Sequence, residues 1–403
     1  MTTRGAPPTR TILVTDGDQR AALAVVRSLG RAGHRVYVCS SIDRSIAGAS
    51  RYCRGEVRVA DALRAPEAFL NDVAEIIERL EVDTLLPIAE RSLHVLLPAR
   101  ARLSDVCLPF VDAETLRRVS DKVQLLRAAA ALGIAVPDQH LAASRTHAFE
   151  IASGPLQFPL VLKPARSLGE RAGERVSLSV RHAANRDQLD RELRGLDEAA
   201  FPLLLQRRVV GPGVGIFLLL WDGELHAVFA HRRIREKPPS GGISVYAESV
   251  AADPVLVRSS RALLERFGWR GVAMVEYKID SATQTPHLME VNGRFWGSLQ
   301  LAIDAGVDFP RILLDVAGGI QSTPRPTYQI GVRNRWWWGD VDHLLTRLRR
   351  SREEAALPPD APSRARSVLD FLRLWQPGDR NEVLRRDDPL PFMRETIEWL
   401  RRR

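Results

Sequence analysis

The sequence predicts a multidomain α/β and α+β chain: a parallel α/β domain over 1–115, a strand-rich domain over 116–320 with a lid lobe at about 159–207, and a mainly helical extension over 321–403. Three observations carry this. The 403 residues exceed what one small core organises. Strand and helix patterns alternate up to residue 89, then give way to strand–loop–strand from 159. From about 320 the composition shifts toward proline, tryptophan and arginine.

Taken in order, TILVTDG, QRAALAVVRSLGRAG and HRVYVCSS read strand, helix and strand; the helix is apolar at 22, 23, 25, 26 and 29 and stops at glycine. PEAFLNDVAEIIERL (66–80) reads as a second helix and DTLLPIA (83–89) as a buried strand. Such alternation implies a parallel sheet faced by helices. The turn TDGDQ lacks the glycine-rich dinucleotide fingerprint, which argues against a nicotinamide or flavin cofactor. Residues 111–137 form a mostly helical connector in which Ser120 can cap, Asp121 suits the positive helix end, and Lys122 follows. FPLVLKPA, ARSLGERAGER, VSLSV, NRDQLDRELRGL and FPLLLQRRVV then read strand, glycine-containing loop, strand, helix, strand. A lobe of about 50 residues has little core of its own and suits a hinged lid. GVGIFLLLWDGELHAVFAHRRI reads as a hairpin turning at Asp222-Gly223.

Composition narrows the function classes. Hydrophobic content of 45% and charged content of 27% are ordinary for a soluble globular protein. Cys39, Cys53 and Cys107 lack metal-ligand spacing, so a reducing compartment without a disulfide framework is expected. MTTRGAPPTR has no signal-peptide core, and the longest apolar run, GIFLLLW, falls short of the ~18 residues a membrane span needs. A cytoplasmic protein without a membrane span is expected. The formal charge of +9 comes from 54 arginines spread along the chain and four lysines, 122, 163, 237 and 278. That global spread argues against a nucleic-acid partner, and RNRWWW (333–338) reads as a core edge. Where arginine is used almost everywhere, each lysine marks a place that needs a compact ammonium.

The stretch HLMEVNGRFWGS (287–298) places Glu290, Asn292 and Arg294 at alternate positions, hence on one face of a strand. If the hairpin it forms with GVAMVEYKID (271–280) is symmetric about Thr283, Glu276 lies opposite Glu290. Opposed carboxylates repel unless a cation lies between them. With the Asn292 oxygen they make a hard, oxygen-only set for Mg²⁺ (Mn²⁺ being admissible) shared with substrate phosphates, and Arg294 would face the same anion. In HRRIREKPPSGGIS (231–244), Arg233, Arg235 and Lys237 could hold an acidic substrate, while Ser240, Gly241 and Gly242 offer backbone donors. Glu90 ends LLPIAE where a parallel strand meets its crevice, a place to grip a substrate amine.

The ordered motifs Ser120-Asp121-Lys122, FPLVLKP, a glycine loop, LLLQRRV, VEYK and HLMEVNGR resemble the ATP-grasp superfamily, in its biotin-carboxylase and carbamoyl-phosphate-synthetase-like branch, over roughly 10–320. The resemblance implies a pre-ATP-grasp, Rossmann-like domain followed by a two-lobed ATP-grasp domain. It implies that Lys122 and Lys163 contact ATP, with Lys163 toward the α/β phosphates, and that Ser167, Gly169 and Gly173 form the lid. Gln206 to Val209 would be the adenine hinge, read through backbone groups of Arg207 and Val209. Glu276, Glu290 and Asn292 would bind Mg²⁺, and Arg294 would steady an acyl phosphate, which makes Arg294 and Lys163 the catalytic pair. Two features depart from the pattern: Gln206 stands where a glutamate is common, and Glu170 and Glu174 sit in the lid.

The activity implied is a carboxylate–amine ligase that converts ATP to ADP and phosphate, activates a small-molecule carboxylate as an acyl phosphate and couples it to an amine. The alternatives are a bicarbonate-activating carboxylase or carbamoyl-phosphate-synthetase-like enzyme, and an ATP-binding module without turnover. The C-terminal extension is a candidate for covering the cleft, for making a homodimer or for recruiting a partner.

Overall fold

The computed structural model describes residues 9–103, 106–171, 174–320, 327–374 and 376–402. The first domain runs β1 (Thr11–Val14), α1 (Arg20–Arg31), β2 (Arg35–Ser40), β3 (Gly55–Arg58), α2 (Pro66–Leu80), β4 (Thr84–Leu86) and α3 (Glu90–Leu96). Its sheet has the order β3-β2-β1-β4 and every pairing is parallel, as the alternating pattern requires. The β4–α3 turn leaves Glu90 at the carboxyl end of the sheet.

The connector forms two helices, α4 (Ala113–Ser120) and α5 (Lys122–Ala131). Asp121, not Ser120, caps the second: its carboxylate accepts from Val123 N and Gln124 N at 3.0 and 3.1 Å. Ser120 is still inside α4, whereas Asp121 has the extended backbone from which a side chain reaches those donors.

The small lobe contains β5 (Gln139–Ala142), α6 (Arg145–Ser153), β6 (Leu160–Pro164), the hairpin β7 (Leu168–Arg171) and β8 (Glu174–Ser177), β9 (Arg181–Ala183), α7 (Arg186–Arg194) and β10 (Leu203–Arg207). Its antiparallel sheet has the order β5-β10-β6-β9, so the lobe begins well before residue 159. QHLA is too short and polar to announce a strand. Leu162, Leu189, Leu193, Leu203 and Leu205 belong to a core separate from the main one.

The large sheet is built from β11 (Gly213–Trp221), β12 (Glu224–Lys237), β13 (Ile243–Ser249), β14 (Gly271–Ile279) and β15 (Pro286–Asn292), with α8 (Pro254–Arg266), α9 (Leu299–Asp304) and α10 (Phe309–Ala317). The β11–β12 hairpin turns at Asp222 and Gly223, both with positive φ. The region expected to be a helical extension also contributes β16 (Arg333–Arg335) and β17 (Asp379–Asn381), giving the order β15-β14-β11-β12-β13-β16-β17. Three-residue polar strands carry no periodicity by which sequence could reveal them. The helices α11 (Trp337–Arg349), α12 (Arg364–Leu372) and α13 (Leu390–Arg401) complete the extension.

Two polar anchors tie this extension down. Asp340, fully buried, accepts from Arg235 Nε and Nη2 and from Arg335 Nε, each at 2.6 Å. Arg27 of α1, equally buried, donates to Asp388 at 2.8 Å. Among the described residues no helix is long and apolar enough to cross a membrane.

Candidate active site

The β14–β15 register places Glu276 directly opposite Glu290, and Met274 opposite Asn292. Past Glu290 the ladder slips by one residue, and the extra residue, Met289, brings its sulfur 3.9 Å from Lys163 Nζ. Met289, Val291, Gly293 and Phe295 are buried, while Glu290, Asn292 and Arg294 open onto a cavity of about 330 Å³. Gly293 is demanded by packing, since a Cβ there would lie 2.1 Å from the Trp269 ring.

The two carboxylates differ electrostatically. Burial raises the Glu276 pKa, the Arg233 guanidinium bound to it opposes that rise, and Glu290 adds to it. Burial also works against ionisation of Glu290, but Lys122, Lys163 and an Asn292 N–H at 3.1 Å outweigh it and hold its pKa down. Lys163 in turn is pushed down by burial, with Glu290 opposing and Lys122 reinforcing. Arg294 spans Asn292 Oδ1 at 3.4 Å and the Phe295 carbonyl at 2.8 Å. Two opposed carboxylates and an amide oxygen are hard donors, and the repulsion that weakens Glu276 is what a divalent cation would remove. The donor set therefore fits Mg²⁺.

The same cavity takes in Lys163, Gln206, Arg207, Val209, Arg233, Gly241 and Gly242. Gln206 is buried and donates to Gln139 Oε1 at 2.8 Å. The Arg207 side chain turns away to Asp138 at 3.3 Å, and its backbone N–H already donates to the Asp138 carbonyl at 2.8 Å. Two further lining residues went unassigned from sequence. His182 on β9 has a buried, unpartnered Nδ1, and burial, with Arg208, Lys163 and Lys278 adding, lowers its pKa to about 4. Lys278, marked in the sequence by the scarcity of lysine but given no role there, lies on the same wall. His231, fully buried with Nδ1 3.3 Å from Ser298 Oγ, has its pKa driven well down by burial, which disfavours the imidazolium form.

A larger cleft, about 900 Å³, adjoins this cavity; Arg20, Ile243, Arg294 and Gly297 line both. Glu90 and Arg91 form one wall, Ser167, Leu168 and Ser177 of the small lobe another, and Trp336, Trp338 and Trp399 a third. Burial opposes ionisation of Glu90, but His94, Arg294 and Lys122 prevail and lower its pKa. Glu90 is thus an ionised carboxylate beside the Arg294 cation.

Other sequence candidates fall elsewhere. Lys122 lines neither cavity, but it is buried close enough for its charge to lower the pKa of both Glu290 and Glu90, and its backbone N–H donates to the Ala165 carbonyl at 2.9 Å. Irregularities in β12 send Arg233, Arg235 and Lys237 different ways: Arg233 to Glu276, Arg235 to Asp340, and Lys237 to Asp342 at the cleft rim. They form no single basic grip. Gly169 packs inside its lobe, where a Cβ would meet the Ala199 carbonyl at 3.0 Å, and Glu170 lines the same small cavity, apart from the site. Gly173 lies outside the described residues.

The sheet orders and this site define an ATP-grasp fold. Residues 200–337 match the model of a family described as ATP-grasp in the biosynthetic pathway with Ter operon. Among solved structures the chain resembles the L-amino acid ligase from Bacillus licheniformis, with a TM-score of 0.60 and 18% identity over 78% of this chain and 76% of that one. It also resembles biotin carboxylase from Campylobacter jejuni, with a TM-score of 0.63 and 16% identity over 81% and 74% of the two chains. A third likeness is to N5-carboxyaminoimidazole synthetase from Staphylococcus aureus complexed with ADP, with a TM-score of 0.61 and 12% identity over 80% and 81%. No curated protein sequence matches the chain.

Proposed function

We propose that this protein is an ATP- and Mg²⁺-dependent carboxylate–amine ligase acting on small molecules in the reducing cytoplasm. The observation that carries the proposal is the directly registered Glu276–Glu290 pair, set with Lys163 and Arg294 around a cavity that opens onto the Glu90 cleft. ATP would occupy the cavity, with Lys163 against its phosphates and Gln206 and Val209 at its base. Glu276, Glu290 and Asn292 would hold Mg²⁺, which supplies charge neutralisation for the phosphates; Mn²⁺ has the same ligand preference. Arg294 would orient the substrate carboxylate for attack on the γ-phosphorus and then hold the acyl phosphate. The β7–β8 hairpin would keep water from that mixed anhydride. Glu90, ionised beside Arg294, would position the incoming amine as it displaces phosphate.

Bicarbonate activation is the competing reading. An ADP-release screen over amino acids, other carboxylates, amines and bicarbonate tests the proposal. Release that requires both an acid and an amine supports it. Release with bicarbonate alone favours the carboxylase, and nucleotide binding without release favours a non-catalytic module.

A further inference from the structure

We propose that the carboxylate substrate carries a planar aromatic ring, which packs on tryptophans supplied by the C-terminal extension. This rests on the ligase reading and adds the class of acid. Trp336, Trp338 and Trp399 line the cleft. Each indole N–H is already engaged: Trp336 with Glu395 at 2.6 Å, Trp338 with Thr396 at 2.9 Å, and Trp399 with Asp342 at 2.9 Å. What they present to the cleft is therefore ring surface rather than hydrogen-bond donors. Trp338 and Trp399 stack with centroids 4.2 Å apart, which fixes that surface across α11 and α13 before any ligand arrives.

Aromatic surface recognises both cations and flat neutral rings, and charge decides between them. Arg20 Cζ lies 3.9 Å from the Trp336 centroid and Lys237 Nζ 5.3 Å, so the cation position over that ring is already filled. The cleft walls carry seven arginine or lysine side chains against five carboxylates, a balance that suits an anion. The geometry also gives the acid a direction. Arg294, where its carboxylate would react, and Gly297 stand at the junction of cavity and cleft. A Cβ on Gly297 would meet Arg20 Nη2 at 2.9 Å, so Arg20 spans the short distance from this junction to Trp336. An acid anchored at Arg294 would extend past Arg20 onto the indoles, and a 900 Å³ cleft has room for its ring.

The test uses the full chain with MgATP, a fixed panel of primary amines as acceptors, and two matched pairs of acids, phenylpropanoate against cyclohexylpropanoate and phenylalanine against cyclohexylalanine. Each pair has the same carbon skeleton and differs in ring planarity and π character. We expect kcat/KM for ADP release to favour the aromatic member by about two- to tenfold, the effect of one added ring–ring contact. Trp338→Leu should bring each pair to parity, while Trp338→Phe keeps part of the preference and affinity for an unreactive ATP analogue stays unchanged in both. Parity in the unaltered protein overturns the inference. If no acid elicits ADP release, the ligase reading falls, and calorimetric titration of the same pairs into the protein loaded with the ATP analogue decides this inference separately. Tighter binding of the phenyl members supports it; equal or undetectable binding overturns it. Should Trp338→Leu fail to fold, the unaltered protein and Trp338→Phe carry the comparison.

Discussion

Glu276 and Glu290 face each other across neighbouring strands, yet their carboxyl groups are driven in opposite directions, Glu276 toward the proton and Glu290 away from it. The asymmetry comes from their neighbours. Glu276 suffers burial and Glu290 with Arg233 as its main relief, whereas Glu290 has two lysines and an amide N–H. That asymmetry is the physical basis on which a divalent cation is proposed between the two carboxylates.

Glu290→Gln keeps the volume and the Asn292 contact but removes the charge. We expect turnover to fall about a hundredfold or more, as when a preorganised charge contact is lost. The protein should also lose the rise in Tm that MgATP gives the unaltered chain through linkage. Calorimetry or a thermal-shift assay with and without Mg²⁺ reads the second effect independently of turnover. An unchanged Mg²⁺-dependent shift in this variant would remove Glu290 from the metal site.

Lys163→Arg tests the compact-ammonium argument. Lys163 Nζ sits in a confined place, against Met289 and near Glu290, where burial already weakens its charge. A guanidinium is planar and wider, so charge is kept while position is lost. We expect ATP affinity, read by titration calorimetry, to fall at least tenfold, and Lys163→Met to be no better. Full affinity in the arginine variant would show that charge alone suffices.

The hairpin was legible because its alternation is unbroken: buried Met289, Val291 and Phe295 interleave with Glu290, Asn292 and Arg294. The expected symmetry about Thr283 named the right pair, but beside the turn the register is Tyr277 with Leu288, and it is the bulge that brings Glu290 opposite Glu276. The bulge at Met289 was not legible, since an extra residue leaves the apolar pattern intact. Neither was the fate of Arg235 and Lys237, whose partners Asp340 and Asp342 lie 105 residues away in the chain. His182 is a single residue with no repeat to mark it, and β16 and β17 are too short to show a period. Local alternation survives in sequence; long-range ion pairs and edge strands do not.

Asp340 is the place where the extension and the large sheet depend on each other. Its fully buried carboxylate is shared by Arg235 of β12 and Arg335 of β16. Asp340→Ala would leave two guanidinium groups without their anion, and removing one partner of a buried ionic cluster costs about 3–5 kcal/mol. We expect the urea midpoint to fall accordingly. A midpoint within error of the unaltered protein would mean that the extension is not anchored through this residue.

Glu395 gives the protein a pH dependence near neutrality. Burial raises its pKa from 4.5 to about 7, against the Trp336 N–H and Arg20, which favour the charged form, and with Glu382 and Glu398 adding to the rise. Because the folded state keeps a proton that the unfolded chain has released, this group costs stability progressively as pH climbs from the unfolded value to about 7, and the cost is then constant. The pKa difference corresponds to about 3 kcal/mol. Glu395→Gln keeps an acceptor for the Trp336 indole and removes the titration. Its Tm should match the unaltered protein near pH 4.5 and exceed it near pH 8. Parallel Tm-versus-pH curves for the two proteins would show that Glu395 ionises as freely in the fold as in the open chain.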